Sequence, residues 1–349
     1  MKWGNGWQNA LIGWGLVLLG LGCASSGVPL AEVSEHPIAL VYWDEAAARE
    51  NQESNQRVQA DRLSTSGRRG VASLNRMINP DDTAPGSRQG GSTRSRGRIR
   101  LLNPRTLELI PFPAAPPDAR PVAWSQDGKR LLFNSAHGAG GTPQLYEFNT
   151  ETAEVRRLTQ GPIYHLEGAY ASESRFLISW LNTEPAQGQA GLSLGKLNGR
   201  GAIELTQDEL PMGPRWSPKG DKVLYFLTSV RKTRRDASQV IIQDPEAGST
   251  PRVVARGREP VFTPDGEWIV YASELSEGWR LARVRPDGSG RSVLGNSHLD
   301  ARWPTVSPDG RHIAYISNTD GIDRLYLRRM DGSGDRILLE TGAVAFPVW

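Results

Sequence analysis

Cysteine is almost missing from this 349-residue chain, and the single Cys23 excludes an intramolecular disulfide framework and any site built from several thiolates. Histidine is scarce too: His36, His137, His165, His298 and His312 are scattered, with no pair at metal-ligand spacing. The apolar run from Ala10 to Gly22 is too short to cross a bilayer comfortably, since a spanning helix needs about 20 residues. Charge of one sign is not in excess either. With 41 basic and 38 acidic residues the net charge is +3, which argues against a dedicated nucleic-acid binder while leaving local basic patches open. No His-Glu-x-x-His or Gly-x-x-x-x-Gly-Lys motif occurs, and no cofactor, no metal and no catalytic residue is expected.

What the chain has in quantity is glycine (38) and proline (24), scattered without a three-residue period, against a hydrophobic content of 38%, enough for a core. They punctuate a repeated phrase: "PVAWSQDGKRLLFNS" at 121–135, "GPRWSPKGDKVLYFLTS" at 213–229, "REPVFTPDGEWIVYAS" at 258–273 and "WPTVSPDGRHIAYIS" at 303–317. The turn glycines Gly128, Gly220, Gly266 and Gly310 lie 92, 46 and 44 residues apart, a repeat of about 45 residues with one unit in the first interval degenerate. Within a unit, the Ser/Thr-Pro-Asp-Gly phrase presets a tight turn, Pro fixing its first central position and Gly the position with φ > 0. Apolar residues around Ile313 and Tyr315 alternate with period two, as in strands. Each unit therefore reads as a four-stranded antiparallel meander.

Five second strands are legible at 129–135, 175–180, 221–229, 267–273 and 311–317; the unit at 165–206 lacks the turn phrase but keeps the strand spacing. A sixth unit is split. "GAVAFPVW" at 342–349 reads as a first strand with nothing after it, while 38–43, 98–103 and 106–112 read as a second, third and fourth strand with no first before them. Joining the two halves closes a ring without a free sheet edge. The expectation is all-β, a six-bladed β-propeller spanning 37–349, with 1–22 a signal peptide, 23–36 a tether and 44–97 a flexible insertion in the first blade whose first part forms a short polar helix.

The Trp-Ser-Pro-Asp-Gly-x-x-Ile-Ala-Tyr phrase, followed by Leu-Tyr and Asp-Gly-Ser-Gly, resembles the repeat of TolB-type propellers, also found in the propellers of prolyl oligopeptidase relatives. The resemblance covers 37–43 and 98–349 and implies a fold more than a task, because one propeller hosts many functions. It covers the propeller alone: the stretch between Cys23 and the first strand is too short for the N-terminal domain of TolB, and no α/β-hydrolase pattern accompanies it. The N-terminus resembles a bacterial lipoprotein signal peptide, with Gly22 at the small position before a lipidated Cys23, although Leu stands at 19 and Gly20 occupies its usual place. This implies an exported chain, lipid-anchored in the cell envelope and facing the periplasm.

In a propeller the first strand of each blade lines the channel, and the loops entering it share a face with those between second and third strands. Counting four residues back from the end of each first strand gives Arg120, Glu167, Met212, Arg258, Arg302 and Ala345 at one channel mouth. The loop "SVRKTRRDAS" of the fourth blade adds Arg231, Lys232, Arg234 and Arg235. Guanidinium forks suit carboxylates and phosphates, so these residues are candidates for binding a protein or peptide partner with acidic groups; solvated loop charges are the other reading. Asn318, Asp320 and Asp323 offer oxygen ligands but are also ordinary turn residues, and Trp124, Trp216 and Trp349 share one repeated position expected to pack between blades. The expected function is a monomeric, non-enzymatic binding protein of the envelope. The alternative is an extracytoplasmic hydrolase or lyase acting on a sugar or peptide in the channel, with His165 and Glu167 as its acid/base candidates.

Overall fold

The computed structural model describes residues 27–50, 52, 97–112, 115–137, 140–172, 175–182, 189–196, 202–207, 210–227, 238–276, 278–295, 300–319 and 321–349. Its strands form six four-stranded antiparallel sheets. The first blade combines β1 (Ile38–Trp43), β2 (Arg98–Leu102) and β3 (Leu109–Pro111) with the last strand, β24 (Ala343–Val348). The second holds β4 (Arg120–Trp124), β5 (Arg130–Ser135), β6 (Gln144–Asn149) and β7 (Val155–Arg157). In the third are β8 (Tyr164–Tyr170), β9 (Phe176–Leu181), β10 (Ala190–Gly195) and β11 (Ile203–Gln207). The fourth consists of β12 (Pro211–Trp216), β13 (Val223–Leu227), β14 (Gln239–Gln243) and β15 (Arg252–Arg256). The fifth has β16 (Arg258–Phe262), β17 (Ile269–Leu275), β18 (Gly278–Val284) and β19 (Ser292–Val293), and the sixth β20 (Arg302–Val306), β21 (His312–Ser317), β22 (Arg324–Arg329) and β23 (Arg336–Ile337).

Contacts between first strands run β24–β4–β8–β12–β16–β20 and back to β24, so the blades form a ring. β24 pairs antiparallel with β1, placing Val41 opposite Ala345 and Ala39 opposite Val348. The core is distributed between blades rather than gathered in one centre. Between the fourth and fifth, for example, Leu224, Val240 and Ile242 pack against Ile269, Tyr271, Ala282 and Val284. Trp124 of the second blade donates its indole N–H to Val348 O of the first, and Trp349 donates to His36 O. The chain before β1 is tied down as well. Val28 and Val33 are fully buried among sixth-blade residues, and Arg105 bonds Val33 O and pairs with Glu35 at 2.5 Å.

The turn phrase has a specific chemistry. Ser125, Ser217, Thr263 and Ser307 each accept, on the side-chain oxygen, the backbone N–H five residues ahead, at 2.9 to 3.0 Å. The glycine beside them takes φ of 68 to 78°, a region costly for residues with a Cβ. The third blade has neither feature, and its turn is one residue shorter: Tyr170 faces Phe176, whereas Trp124 faces Leu131.

The start of the 44–97 insertion is helical over 45–50, as the sequence suggests. Asp44 caps Ala47 N at 2.9 Å, Ala47 and Ala48 are buried against Trp43 and Ile322, and Glu45 Oε2 accepts the N–H of Gly342 at 2.7 Å. Residues 53–96, like Cys23 and the rest of 1–26, lie outside the described residues.

Candidate functional site

The first strands line the channel, and five of their partner registers break at a bulge near the middle of the strand: 121/123, 165/167, 212/215, 258/261 and 302/305. In four blades an X-Pro pair sits at the irregularity: Gly213-Pro214, Glu259-Pro260, Trp303-Pro304 and Phe346-Pro347. Its first residue has positive φ, 57° at Gly213 and Glu259, 46° at Trp303 and 53° at Phe346. Three of these are not glycine and hold a strained conformation where the channel is built.

The bulge residues connect neighbouring blades. Glu259 Oε2 accepts the Trp303 N–H at 2.6 Å, and Glu167 Oε2 accepts that of Gly213. These matching bonds make Glu167 the counterpart of Glu259, which corrects the sequence count by one residue. The shorter turn of the third blade ends its first strand at Tyr170 rather than Ala171, so Glu167 lies one position deeper than the arginines instead of level with them. Glu259 is 10% exposed at its side chain, and burial pushes its carboxyl up, against the pull of Arg258.

Arg120, Arg258 and Arg302 begin β4, β16 and β20 and so share the end of the channel reached by the second-to-third-strand loops. None stands as an isolated solvated charge. Arg258 lies 3.8 Å over the Trp279 ring with its Nε 3.5 Å from Glu259 Oε1. Arg302 pairs with Asp300 and Asp323, each at 3.1 Å, and Arg120 sits 5.1 Å over the Phe346 ring. Nε of Arg258 and Nε of Arg302 are nonetheless buried with no hydrogen-bond partner among the described residues. Arg215, which sequence reasoning missed, projects near Glu167; burial lowers its guanidinium, with Glu167 opposing. Trp279, Trp303, Phe346 and Glu259 were missed for a common reason: they belong to the bulge or to a neighbouring strand, and the repeat count followed only one position.

Arg231, Lys232, Arg234 and Arg235 lie outside the described residues, as do Asp320 and His298. Asn318 donates to Asp323, already engaged by Arg302, and no group of three His, Cys, Asp or Glu that could hold a metal occurs among the described residues. The acid/base candidates have different neighbours. Glu167 is engaged by Gly213, whereas His165 Nδ1 is 3.0 Å from Gln144 Oε1 of the second blade. The Gln144 oxygen also accepts from Thr159 Oγ, while its amide nitrogen donates to Gly161 O and Ile163 O, so the His165 proton is on Nδ1. Burial lowers His165 to about 4.

No family model matches the chain. Among curated proteins it is 27% identical over 209 residues to an uncharacterized protein of Agrobacterium fabrum, covering 57% of this chain and 65% of that one. It is 24% identical over 183 residues to an uncharacterized peptidase, YuxL, of Bacillus subtilis, covering 51% of this chain and 25% of that one. The chain thus spans less than two thirds of the length of each. Among solved structures, TolB from Acinetobacter baumannii superposes with a TM-score of 0.63 at 15% identity, over 90% of this chain and 67% of that one. A putative TolB from Agrobacterium tumefaciens gives 0.55 at 22% identity, over 70% and 88%. The hydrazine synthase of Kuenenia stuttgartiensis gives 0.61 at 16% identity, over 91% and 47%. At these identities the likeness concerns the fold, and the fold is that of a TolB-like six-bladed β-propeller.

Proposed function

We propose that this propeller is a non-enzymatic binding protein of the cell envelope, exported by its N-terminal segment, lipid-anchored at Cys23 and facing the periplasm. It engages an acidic protein or peptide segment at the channel end where β4, β16 and β20 begin. The observation that carries this reading is the buried Nε–H of Arg302, which makes no hydrogen bond among the described residues, beside the guanidinium of Arg258 in the adjacent blade. Buried donors in folded proteins are almost always satisfied, and an incoming carboxylate is the acceptor suited to a guanidinium. The aromatic rings beneath Arg120 and Arg258 hold those side chains in place, which lowers the entropy lost on binding.

The test is photocrosslinking in envelope preparations with a probe residue at the mouth, comparing the parent with R258Q/R302Q. Loss of the crosslinked product at unchanged thermal stability supports the reading. An unchanged product, or none from any probe position at the mouth, overturns it. Cys23 is tested separately, by whether C23S abolishes labelling with a fatty-acid analogue.

A further inference from the structure

The third blade departs from the second, fourth, fifth and sixth at one cross-strand position, where the first blade has Leu40 opposite Arg100. Opposite each other on the second and third strands stand Phe133 and Tyr146 in the second blade, Tyr225 and Ile241 in the fourth, Tyr271 and Ala282 in the fifth, and Tyr315 and Tyr326 in the sixth. The Phe133–Tyr146 rings stack at 5.4 Å and the Tyr315–Tyr326 rings at 5.6 Å. In the third blade the same pair is Ile178 and Ser193. The sequence of β10, Ala-Gly-Leu-Ser-Leu-Gly, strips that sheet face further: Leu192 and Leu194 are fully buried on the other side, leaving Gly191, Ser193 and Gly195 on this one. The lost aromatic volume is an open cleft of about 450 Å³ between the second and third blades, within the size range of small-molecule sites.

The cleft is furnished. Trp180 borders it with the indole laid against Gly191, where a Cβ would meet the ring at 2.8 Å, and its Nε1 is fixed by Ser193 Oγ at 2.8 Å and Glu204 Oε2 at 3.3 Å. His165 lines it as the Nδ1–H tautomer held by Gln144, so its Nε2 is a neutral acceptor. Arg157 and Lys196, both exposed, and Gln160 complete the polar rim. Arg157 uses its Nε on Thr159 O at 2.8 Å, which orients the guanidinium.

We infer that this cleft is a binding site for a sugar acid, separate from the channel and not dependent on the channel's proposed role. The indole takes the apolar face of the ring, Arg157 and Lys196 take the carboxylate, and His165 Nε2 with the Gln160 amide takes hydroxyl groups. A neutral sugar leaves the two cations without a partner, and an open-chain dicarboxylate leaves the indole uncovered.

Titration calorimetry on the mature chain with D-glucuronate, D-glucose and glutarate tests this. Glucuronate is expected to bind about tenfold or more tighter than either control, a difference of about 1.4 kcal/mol, and R157A to weaken it about five- to tenfold. S193Y, which restores the bulk found at Tyr326, is expected to abolish binding. Because S193Y also removes a partner of Trp180, the indole N–H resonance assigned to Trp180 is followed in the parent protein; it shifts with glucuronate and not with glucose or glutarate at equal concentration. No glucuronate binding at millimolar concentration, equal binding of glutarate, or binding unaffected by R157A would overturn the assignment.

Discussion

Glu259 of the fifth blade accepts the backbone N–H of Trp303 in the sixth, 2.6 Å away, while its other oxygen faces Arg258 at 3.5 Å. The carboxylate thus closes a blade junction and neutralises a guanidinium at the channel in one stroke. E259A strands both partners and is expected to lower unfolding free energy by about 2–4 kcal/mol, whereas E259Q keeps an acceptor and is expected to lose about 1 kcal/mol or less. Urea denaturation at neutral pH separates the two. Equal losses would show that the hydrogen bond to Trp303 is not what the residue contributes.

His165 makes stability depend on pH in the mildly acidic range. Its pKa is lowered to about 4 in the folded protein from 6.5 in the unfolded chain, so between these values the unfolded state binds more protons and stability rises with pH. The contribution is complete above pH 6.5 and is lost as the pH falls toward 4, reaching about 2–3 kcal/mol once some solvent screening is allowed for. H165N, whose amide can replace the Nδ1–H donor to Gln144, is expected to flatten that part of the curve. Urea midpoints of both proteins between pH 4 and 7 measure it.

The side-chain oxygens of the repeat turns are interchangeable parts. Ser307 accepts the His312 N–H at 2.9 Å, as Ser125 accepts that of Arg130. S307A is expected to cost about 1 kcal/mol and T263S close to nothing, since the acceptor remains. The turns lie in different blades, so S125A and S307A together are expected to cost the sum of the single losses. Thermal or urea unfolding of the double variant checks this, and a strongly non-additive result would mean that the ring transmits strain between turns.

Closure of the ring rests on seven terminal residues. Val344 is 1% exposed in β24, beside β1. V344D buries an unpaired carboxylate and is expected to destabilise by about 3–5 kcal/mol, exposing β1 as a free edge. Light scattering together with denaturation reads both effects. A stable, monomeric V344D would show that closure contributes little.

Much of this molecule is written locally. The Ser/Thr-Pro-Asp-Gly phrase specifies a turn because its hydroxyl, its fixed φ and its glycine act within six residues, so a repeat of such phrases yields strands, registers and the number of meanders directly. The split sixth unit was legible for the same reason, as two incomplete sets of strands that complement each other. The degenerate third unit was legible only to within one residue, because its turn lacks the phrase that sets the count, and Glu167 was accordingly placed level with Arg258 rather than at the position of Glu259.

The site depends on relations that no local pattern encodes. Sequence position alone put Arg120, Arg258 and Arg302 at one end of the channel. Their state came from elsewhere in the ring, from Phe346, Trp279, Asp300 and Asp323, residues brought near by blade packing. The cleft beside Trp180 is likewise a missing volume between two sheets, and absence has no motif. The sequence by itself determined the repeat, its turns and the two halves of the ring, because those are short-range consequences of backbone geometry. The tertiary structure alone decided which charges are paired, which carboxylates join blades and where space remains, because those follow from long-range packing that brings together residues from neighbouring blades.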